Sequence, residues 1–282
     1  VRTQQATFMR MGTETITDCK YGSTSVPVNV STTLGIGNCP AQNCFNEPVI
    51  IKNCEGIFQR QFITSWLKQS TGLMYENANV GGLWIAADMT HDLDTQYSTI
   101  SLENTSMTYL LFSPPNDASE TDRLTIRNVL IHIKNSTIAR TNELSVGMNI
   151  GLGAENATGG YDTQLSALRA QRVDFENVHF LIENSTLGTL DNELNYLPFS
   201  FVNVTMKNVT VEIIDRSSLL CRGEKSRAYG SSTRTGDIPN KFAAFQLVNV
   251  NMTGASKIRI TDAERIYAEC DTCVDGNKGL LT

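Results

Sequence analysis

Residues 124–133 read LTIRNVLIHI, and residues 173–182 read VDFENVHFLI. In both stretches apolar residues alternate with polar ones on each side of a central Asn, which is the period of a strand with one buried face. Asn is the non-glycine residue that best tolerates the left-handed backbone conformation of a tight corner. Each stretch therefore predicts two strands joined at an Asn corner.

The same pattern recurs along the chain. Asn occupies the corner position in seven copies: Asn53, Asn77, Asn104, Asn128, Asn177, Asn203 and Asn249. Their residue numbers differ by 24, 27, 24, 49, 26 and 46, so each interval is one or two units of about 24 residues. This period is typical of a stacked solenoid, in which the Asn amides of successive coils can hydrogen-bond along the axis.

The two doubled intervals predict a degenerate coil in the middle of each. Residues 148–152 and 219–223 keep the alternation but lack the Asn. Counting them gives about nine or ten coils, the last around Ile266 to Cys270. A competing register, with Asn208 at the corner in place of Asn203, stays open.

The repeat also predicts the domain organisation. Residues 49–270 form the solenoid, and residues 271–282 follow it as a C-terminal tail. Residues 1–48 do not fit the repeat and are rich in Gly, Pro and Cys. We expect them to form an N-terminal cap or docking segment, because a solenoid must cover its open end.

Composition excludes several classes of partner. Of the 282 residues 40% are apolar and 18% are charged, with a net charge of −6. There is no basic run, so we expect no nucleic-acid partner. There is no apolar run of about 18 residues, so we expect no membrane span. No phosphate-cradling glycine loop or metalloprotease pattern is present, and we expect no cofactor.

The seven cysteines give two readings. Cys270 and Cys273 have the spacing of a metal or redox pair, but no second pair and no nearby His accompany them, so no metal site is predicted. Cys54 directly follows a corner Asn, where other copies carry Ala or Val. This position predicts a small buried residue, and free cysteines would suit assembly in a reducing cytoplasm.

Eight Asn-x-Ser/Thr triplets have the pattern of glycosylation acceptors. They begin at Asn29, Asn104, Asn135, Asn156, Asn184, Asn203, Asn208 and Asn251. Asn, Ser, Thr and Val are also the residues that solenoid corners and strands require. We therefore expect few of these triplets, if any, to carry a glycan.

One cluster of polar and aromatic residues is the candidate ligand site. It lies between Asn77 and Asn104 and consists of Trp84, Asp88, His91, Asp92 and Asp94. A Trp ring can stack on a sugar, and two carboxylates held about 5–9 Å apart can act as acid and base in glycoside cleavage. Asp88 and Asp94 are therefore the weak catalytic candidates, while an ordinary acidic turn is the competing interpretation.

Outward positions can be assigned from the alternation. We expect His132 and His179 to be surface strand residues rather than ligands. Glu103 and Arg127 fall in the same outward column of the predicted register, so they can form an ion pair. Leu130, Leu181 and Val248 also fall at outward positions, where they would favour a partner.

With its Asn corners and alternating strands, the chain resembles the right-handed parallel β-helix of the pectin-lyase-like superfamily and of bacteriophage tailspikes. The resemblance covers residues 49–270 and implies an all-β, right-handed parallel β-helix solenoid. Proteins of this architecture mostly handle polysaccharides, so the implied partner is a polysaccharide or a cell-surface glycan. The tailspike resemblance also implies a homo-oligomer, with a trimer expected, or a larger assembly.

Three functions are compatible with this prediction. The first is an extracellular or virion-exposed structural or adhesion module, tailspike- or fibre-like, that presents a glycan or receptor attachment surface. The second is a polysaccharide-degrading enzyme, either a glycoside hydrolase or a lyase. The third is a purely structural filament or surface-layer protein. The predicted coils leave no room for a long insertion that could build a cleft, which favours attachment over catalysis.

Overall fold

The computed structural model describes residues 7–8, 14–17, 20–21, 35–36, 49–56, 60–63, 72–80, 82–86, 88–90, 98–114, 118–119, 121–139, 166–190, 197–223 and 244–270. Its strands are β1 Thr7–Phe8, β2 Glu14–Thr17, β3 Lys20–Tyr21, β4 Gly35–Ile36, β5 Val49–Lys52, β6 Glu55–Gly56, β7 Arg60–Ile63, β8 Gly72–Glu76, β9 Asn79–Val80, β10 Gly82–Ile85, β11 Met89–Thr90, β12 Ser98–Glu103, β13 Ser106–Met107, β14 Leu110–Phe112, β15 Leu124–Lys134, β16 Thr137–Ile138, β17 Ser166–Glu183, β18 Thr186–Thr189, β19 Leu197–Lys207, β20 Thr210–Ile214, β21 Ser218–Gly223, β22 Gln246–Thr253, β23 Lys257–Ile260 and β24 Arg265–Cys270. These described ranges hold no helix that is long and apolar enough to span a membrane.

The strands stack coil upon coil in parallel. One sheet has the order β3-β6-β9-β13-β16-β18-β21-β24. On a second face β2, β5, β8, β12, β15, β17, β20 and β23 follow one another in parallel pairs. On a third, β7, β10, β14, β17, β19 and β22 do so. This arrangement confirms an all-β protein with long parallel sheets, as in a parallel β solenoid, whereas its right-handedness stays a prediction.

The number of coils differs from the prediction. Among the described residues of 49–270, seven strands stack in the first sheet, whereas nine or ten coils were predicted. Strand β2 pairs with β5 on the second face, and β3 pairs with β6 in the first sheet. Both the second face and the first sheet therefore include residues before residue 49. Strands β1 and β4 form a separate pair. The cap at 1–48 and the tail at 271–282 stay predictions, since both fall largely outside the described residues.

Asn stands at three different corners of the coil rather than in one column. The corner that leads into the first sheet holds five Asn, all with positive φ: Asn53, Asn77, Asn104, Asn135 and Asn184. Neighbouring amides in this ladder bond directly, as Asn184 Nδ2 donates to Asn135 Oδ1 at 2.8 Å. Asp215 and Asp262 continue the column with φ of 50° and 55°. The left-handed backbone conformation of the corner Asn residues and the ladder of Asn–Asn hydrogen bonds along the axis are both confirmed.

Two further ladders occupy the remaining corners. At the second corner Asn177 Nδ2 donates to Asn128 Oδ1 at 3.1 Å, and Asn208 Nδ2 donates to Asn177 Oδ1 at 3.2 Å. At the third corner Asn249 Nδ2 donates to Asn203 Oδ1 at 3.0 Å. Asn203 and Asn208 are therefore both corner residues, at different corners of one coil, and the two competing registers were not alternatives.

The predicted degenerate coils are wrong. Residues 124–127 of β15 pair directly with residues 173–176 of β17, so no coil separates Asn128 from Asn177. Likewise β19 pairs directly with β22. Residues 219–223 belong to β21 in the first sheet, and residues 148–152 lie outside the described residues.

Each doubled interval is instead a single coil with a long connection. Residues 140–165 link β16 to β17, and residues 224–243 link β21 to β22. Both connections leave the end of a first-sheet strand, at the same point of the coil. The prediction that no coil has room for a long insertion is therefore wrong, and it no longer separates attachment from catalysis.

The core is a continuous apolar column inside the coils. Alternate residues of β12, β15 and the second half of β17 are buried, and Ile131, Phe180 and Val211 are among the residues without accessible surface. Aromatic rings meet in the centre of the stack, where Phe175 and Phe180 are edge to face with centroids 5.2 Å apart. Such pairs add about 0.5–1.5 kcal/mol to the burial of the rings themselves. The packing therefore concentrates around β17.

Directly after the Asn residues of the first corner, the hydroxyl groups of Thr105, Ser136 and Ser185 form a second ladder. Ser136 Oγ accepts from the Thr105 amide at 3.0 Å, and Ser185 Oγ accepts from the Ser136 amide at 3.0 Å. Each hydroxyl also donates to the carbonyl two residues earlier. In the triplets that begin at Asn104, Asn135 and Asn184 the buried hydroxyl belongs to the middle residue, so the corner accounts for the first two positions of each triplet and leaves the third unexplained.

The cysteines divide into two kinds. Cys54 is fully buried, as predicted, but it is disulfide-bonded, and its partner is not among the residues whose side chains are described. Cys221 is free and buried, and burial raises the pKa of its thiol to about 12. Assembly in a reducing cytoplasm stays a prediction.

Candidate functional site

Trp84 does not offer a surface for sugar stacking. Its side chain is 1% exposed, packs with Ala86, Tyr109 and Leu111, and donates from Nε1 to the Ser113 carbonyl at 3.0 Å. Trp84 lies on the outward side of β10. Its register partner on the next strand of the third face, Leu111, also points outward and is buried as well. The prediction of Trp84 as a ligand residue therefore does not fit its buried position.

Asp88 is the one member of the predicted cluster whose side chain is described and exposed. Its Oδ1 accepts a hydrogen bond from the Thr125 amide of the next coil at 2.7 Å. This bond fixes the carboxylate and leaves Oδ2 available. His91, Asp92 and Asp94 lie outside the described residues, so their role and the Asp88–Asp94 catalytic pair stay predictions.

The coil is enlarged next to Asp88. Residues 113–123 link β14 to β15, whereas the next coil turns the same corner with Gln171 and Arg172 inside the continuous strand β17. We call residues 113–123 the corner segment. Arg172 Nη1 donates to the Ser119 carbonyl at 2.6 Å, which ties the segment to the coil that follows. The segment is thus a local addition at this corner of the coil.

An open groove lies between Asp88 and the described residues of the corner segment. Its volume is about 350 Å³, and it is lined by Ala86, Asp88, Pro114, Ala118, Asp122, Arg123 and Leu124. Sites for small molecules have volumes of roughly 300–1,000 Å³, so this groove is at the lower end of that range. We call it the corner groove. It combines short apolar side chains with two carboxylates and one guanidinium group.

Arg123 is held on the wall of the groove by Asp174. Its Nε lies 2.9 Å from both carboxylate oxygens of Asp174, and its Nη2 lies 2.7 Å from Oδ1. The same Nη2 contacts the Val173 carbonyl and the Thr205 hydroxyl. The hydrogen bonds from Arg123 hold the pKa of Asp174 below its usual range, against a smaller opposing effect of burial. The pair therefore stays ionised at neutral pH.

Replacing Arg123 by Met is expected to cost at most about 1 kcal/mol at pH 7, because both partners are more than a third exposed. The folded-state pKa of Asp174 is depressed, so the pair stabilises the fold above the unfolded pKa of about 3.9. That contribution is lost as the pH falls through the folded pKa. Urea denaturation of both proteins at pH 7 and pH 2.5 measures the difference.

The difference between the two proteins should therefore shrink at pH 2.5. Arg259→Met is the matched control, because Arg259 is more exposed and lies 4.0 Å from Glu212. A difference for Arg123→Met that is equal at both pH values would contradict the ion-pair explanation.

On the outward side of the second face, pairs of polar side chains contact each other. His132 and His179, predicted to be surface strand residues, are partly exposed and contact Glu183 and Glu212 at 3.1 and 3.0 Å. The outward leucine Leu181 lies beside His132 in the next strand, so this column is not a continuous apolar stripe. These leucines therefore do not by themselves indicate an oligomer interface.

The predicted Glu103–Arg127 ion pair is wrong. Glu103 lies before the first corner and pairs in register with Lys134, whereas Arg127 lies before the second corner. Arg127 Nε contacts Glu176 at 2.9 Å, and Lys207 Nζ contacts the same carboxylate at 2.7 Å. The hydrogen bond from Lys207 is the main cause that lowers the pKa of Glu176.

The sequence analysis did not identify two residues that line the corner groove, Asp122 and Arg123. The available signal was the run SPPNDASETDR at residues 113–123, which is rich in turn-forming residues. Within the described part of the chain, no group of three or more His, Cys, Asp or Glu side chains is placed to hold a metal ion.

Comparisons with known proteins add no relative. No family model, no curated protein and no solved structure matches this chain. The likeness to β-helix proteins therefore rests on the parallel sheets and the Asn–Asn contacts.

Proposed function

We propose that this protein is an extracellular or virion-exposed β-solenoid attachment module that binds a glycan in the corner groove. The observation that carries the proposal is the corner segment, because it is a local departure from the repeat that Arg172 of the following coil holds at Ser119, beside the fixed carboxylate of Asp88. Additions to a regular scaffold that create a concave, polar surface are where binding sites concentrate.

The chemistry of the groove supports this proposal. Asp88 and Asp122 each use one carboxylate oxygen for a backbone amide, at 2.7 and 2.8 Å, and so are fixed in position. Their other oxygens can accept hydrogen bonds from sugar hydroxyl groups. The rigid stack supplies the preorganisation that limits the entropy cost of binding.

The Cys54 disulfide supports the proposed location. A disulfide is expected in an oxidising compartment, which includes the extracellular space and the virion surface. A homo-oligomer, a trimer in particular, remains a proposal from the tailspike resemblance. Native mass spectrometry or light scattering of the purified chain measures it directly, and a monomer would remove this part of the proposal.

Loss of the Asp122 carboxylate is expected to abolish glycan capture. Asp122→Ala removes an acceptor in the groove, and each hydrogen bond to a charged group is worth about 1.5–3 kcal/mol, or roughly 10–100-fold in affinity. Saturation-transfer NMR against a broad panel of oligosaccharides, which detects binding with a Kd of about 1 mM, measures the effect. Glu264→Ala is the matched control, because Glu264 is an exposed carboxylate near the last strand.

The control should retain the binding pattern of the unaltered protein. Failure of the unaltered protein to bind any glycan would contradict the proposed function. The same panel, incubated with the protein and then analysed for released sugars, also tests the enzymatic alternative, because turnover that disappears with Asp88→Ala would favour a hydrolase or lyase over an attachment module.

A further inference from the structure

Negative charges outnumber positive charges around the corner groove. Asp88 and Asp122 line the groove, while the positive charge of Arg123 is matched by its bidentate contact with Asp174. The described residues at the groove therefore carry an excess of negative charge. A bound carboxylate or sulfate would meet two like charges at close range, which costs binding energy.

The corner groove also offers more hydrogen-bond acceptors than donors. Asp88 Oδ1 and Asp122 Oδ2 are occupied by backbone amides, so each carboxylate retains one oxygen as an acceptor. Arg123 uses Nε and Nη2 in its recorded bonds and retains Nη1 as a donor. Two acceptors and one donor match hydroxyl groups, which can donate to a carboxylate and accept from a guanidinium group.

The apolar part of the lining is small. Ala86, Pro114, Ala118 and Leu124 supply short aliphatic surface, and the described lining includes no aromatic ring. Aliphatic side chains can cover the C–H face of a sugar but give less contact area than a Trp or Tyr ring. The expected affinity is therefore weak, with a Kd of about 1 mM for a short oligosaccharide.

We infer that the corner groove selects neutral sugars with adjacent hydroxyl groups and rejects acidic sugars. This inference rests on the proposed function, since it names the class of glycan that the same groove takes. The selectivity comes from Asp88 and Asp122, which supply acceptors to hydroxyl groups and repel anions. Arg123 contributes a donor without contributing net positive charge.

The test compares neutral and acidic oligosaccharides of equal length by saturation-transfer NMR and titration calorimetry, with EDTA in the buffer so that no metal ion bridges ligand and protein. The unaltered protein is expected to bind neutral ligands at least about tenfold more tightly than uronic-acid ligands. The double variant Asp88→Asn, Asp122→Asn should lose about tenfold or more for neutral sugars and narrow the difference.

The outcomes separate the two proposals. Equal or tighter binding of uronic-acid ligands by the unaltered protein would overturn the neutral-sugar inference and leave glycan attachment intact. An absence of binding by every ligand would overturn both. Because Asp88 also bonds to a neighbouring coil, Asp122→Asn alone serves as the second variant if the double variant does not fold.

Discussion

Replacing Phe180 by Ala is expected to lower the free energy of unfolding by about 3–5 kcal/mol, the usual cost of deleting a buried aromatic ring. Phe180 has no accessible surface and contacts three other rings at the centre of the stack, Phe112, Phe175 and Phe201. Coils above and below are fixed by their own pairing, so they can close the resulting cavity only in part. Urea denaturation followed by circular dichroism measures the loss.

Leu247→Ala is the matched control. Leu247 is 42% exposed in the last described strand of the third face, and its replacement should change the free energy of unfolding by less than about 0.5 kcal/mol. If Phe180→Ala lowered the free energy of unfolding no more than this control, the result would contradict the placement of Phe180 at the aromatic centre of the core.

Replacing Asn177 by Ala is expected to cost about 2–3 kcal/mol. The substitution removes two ladder bonds, one to Asn128 and one from Asn208, each worth about 0.5–1.5 kcal/mol. It also places Ala at a φ of 52°, a conformation that costs a residue with a Cβ about 1 kcal/mol or more. The midpoint of urea denaturation reports the sum.

Asn177→Gly separates the two causes. Gly adopts positive φ without strain, so this variant should lose only the ladder bonds and cost about 1 kcal/mol less than Asn177→Ala. Equal losses for the two variants would show that backbone strain at this corner has no part in the preference for Asn.

Local features of the fold could be predicted from the sequence. Alternation around Asn128 and Asn177 identified the buried faces of β15 and β17, because inward and outward positions differ sharply in polarity along one strand. The positive φ of these Asn residues follows from the same chemistry. Such features depend on neighbours in the chain and are therefore visible in the sequence.

The stacking of coils could not be predicted in the same way. Asn is favourable at each of the three corners, so a single list of corner Asn residues mixed positions that belong to different ladders. Asn135 and Asn184 were left out of that list although they continue the ladder from Asn104. Only the pairing of β15 with β17 shows that a 49-residue interval is one coil.

The candidate site depended on that pairing. Asp88 meets Thr125, and Arg123 meets Asp174, only because β11 lies beside β15 and β15 beside β17. Trp84 illustrates the opposite error. It is an outward residue of β10, but the outward side of that strand is covered, which alternation along one strand cannot reveal.

Cross-linking of cysteine pairs tests the account most directly, because the site exists only if the coils stack in this order. In the structure Arg127 and Glu176 are register partners on adjacent strands, and neither lies in the corner groove. The variant Arg127→Cys, Glu176→Cys should therefore form an intramolecular link under mild oxidation or with a short bismaleimide, as identified by peptide mass spectrometry. Glu103→Cys, Arg127→Cys, the pair that the predicted single column of corners would bring together, should not, because Glu103 lies before the first corner and Arg127 before the second. Linkage of the second pair but not the first would contradict the stacking order and, with it, the corner groove.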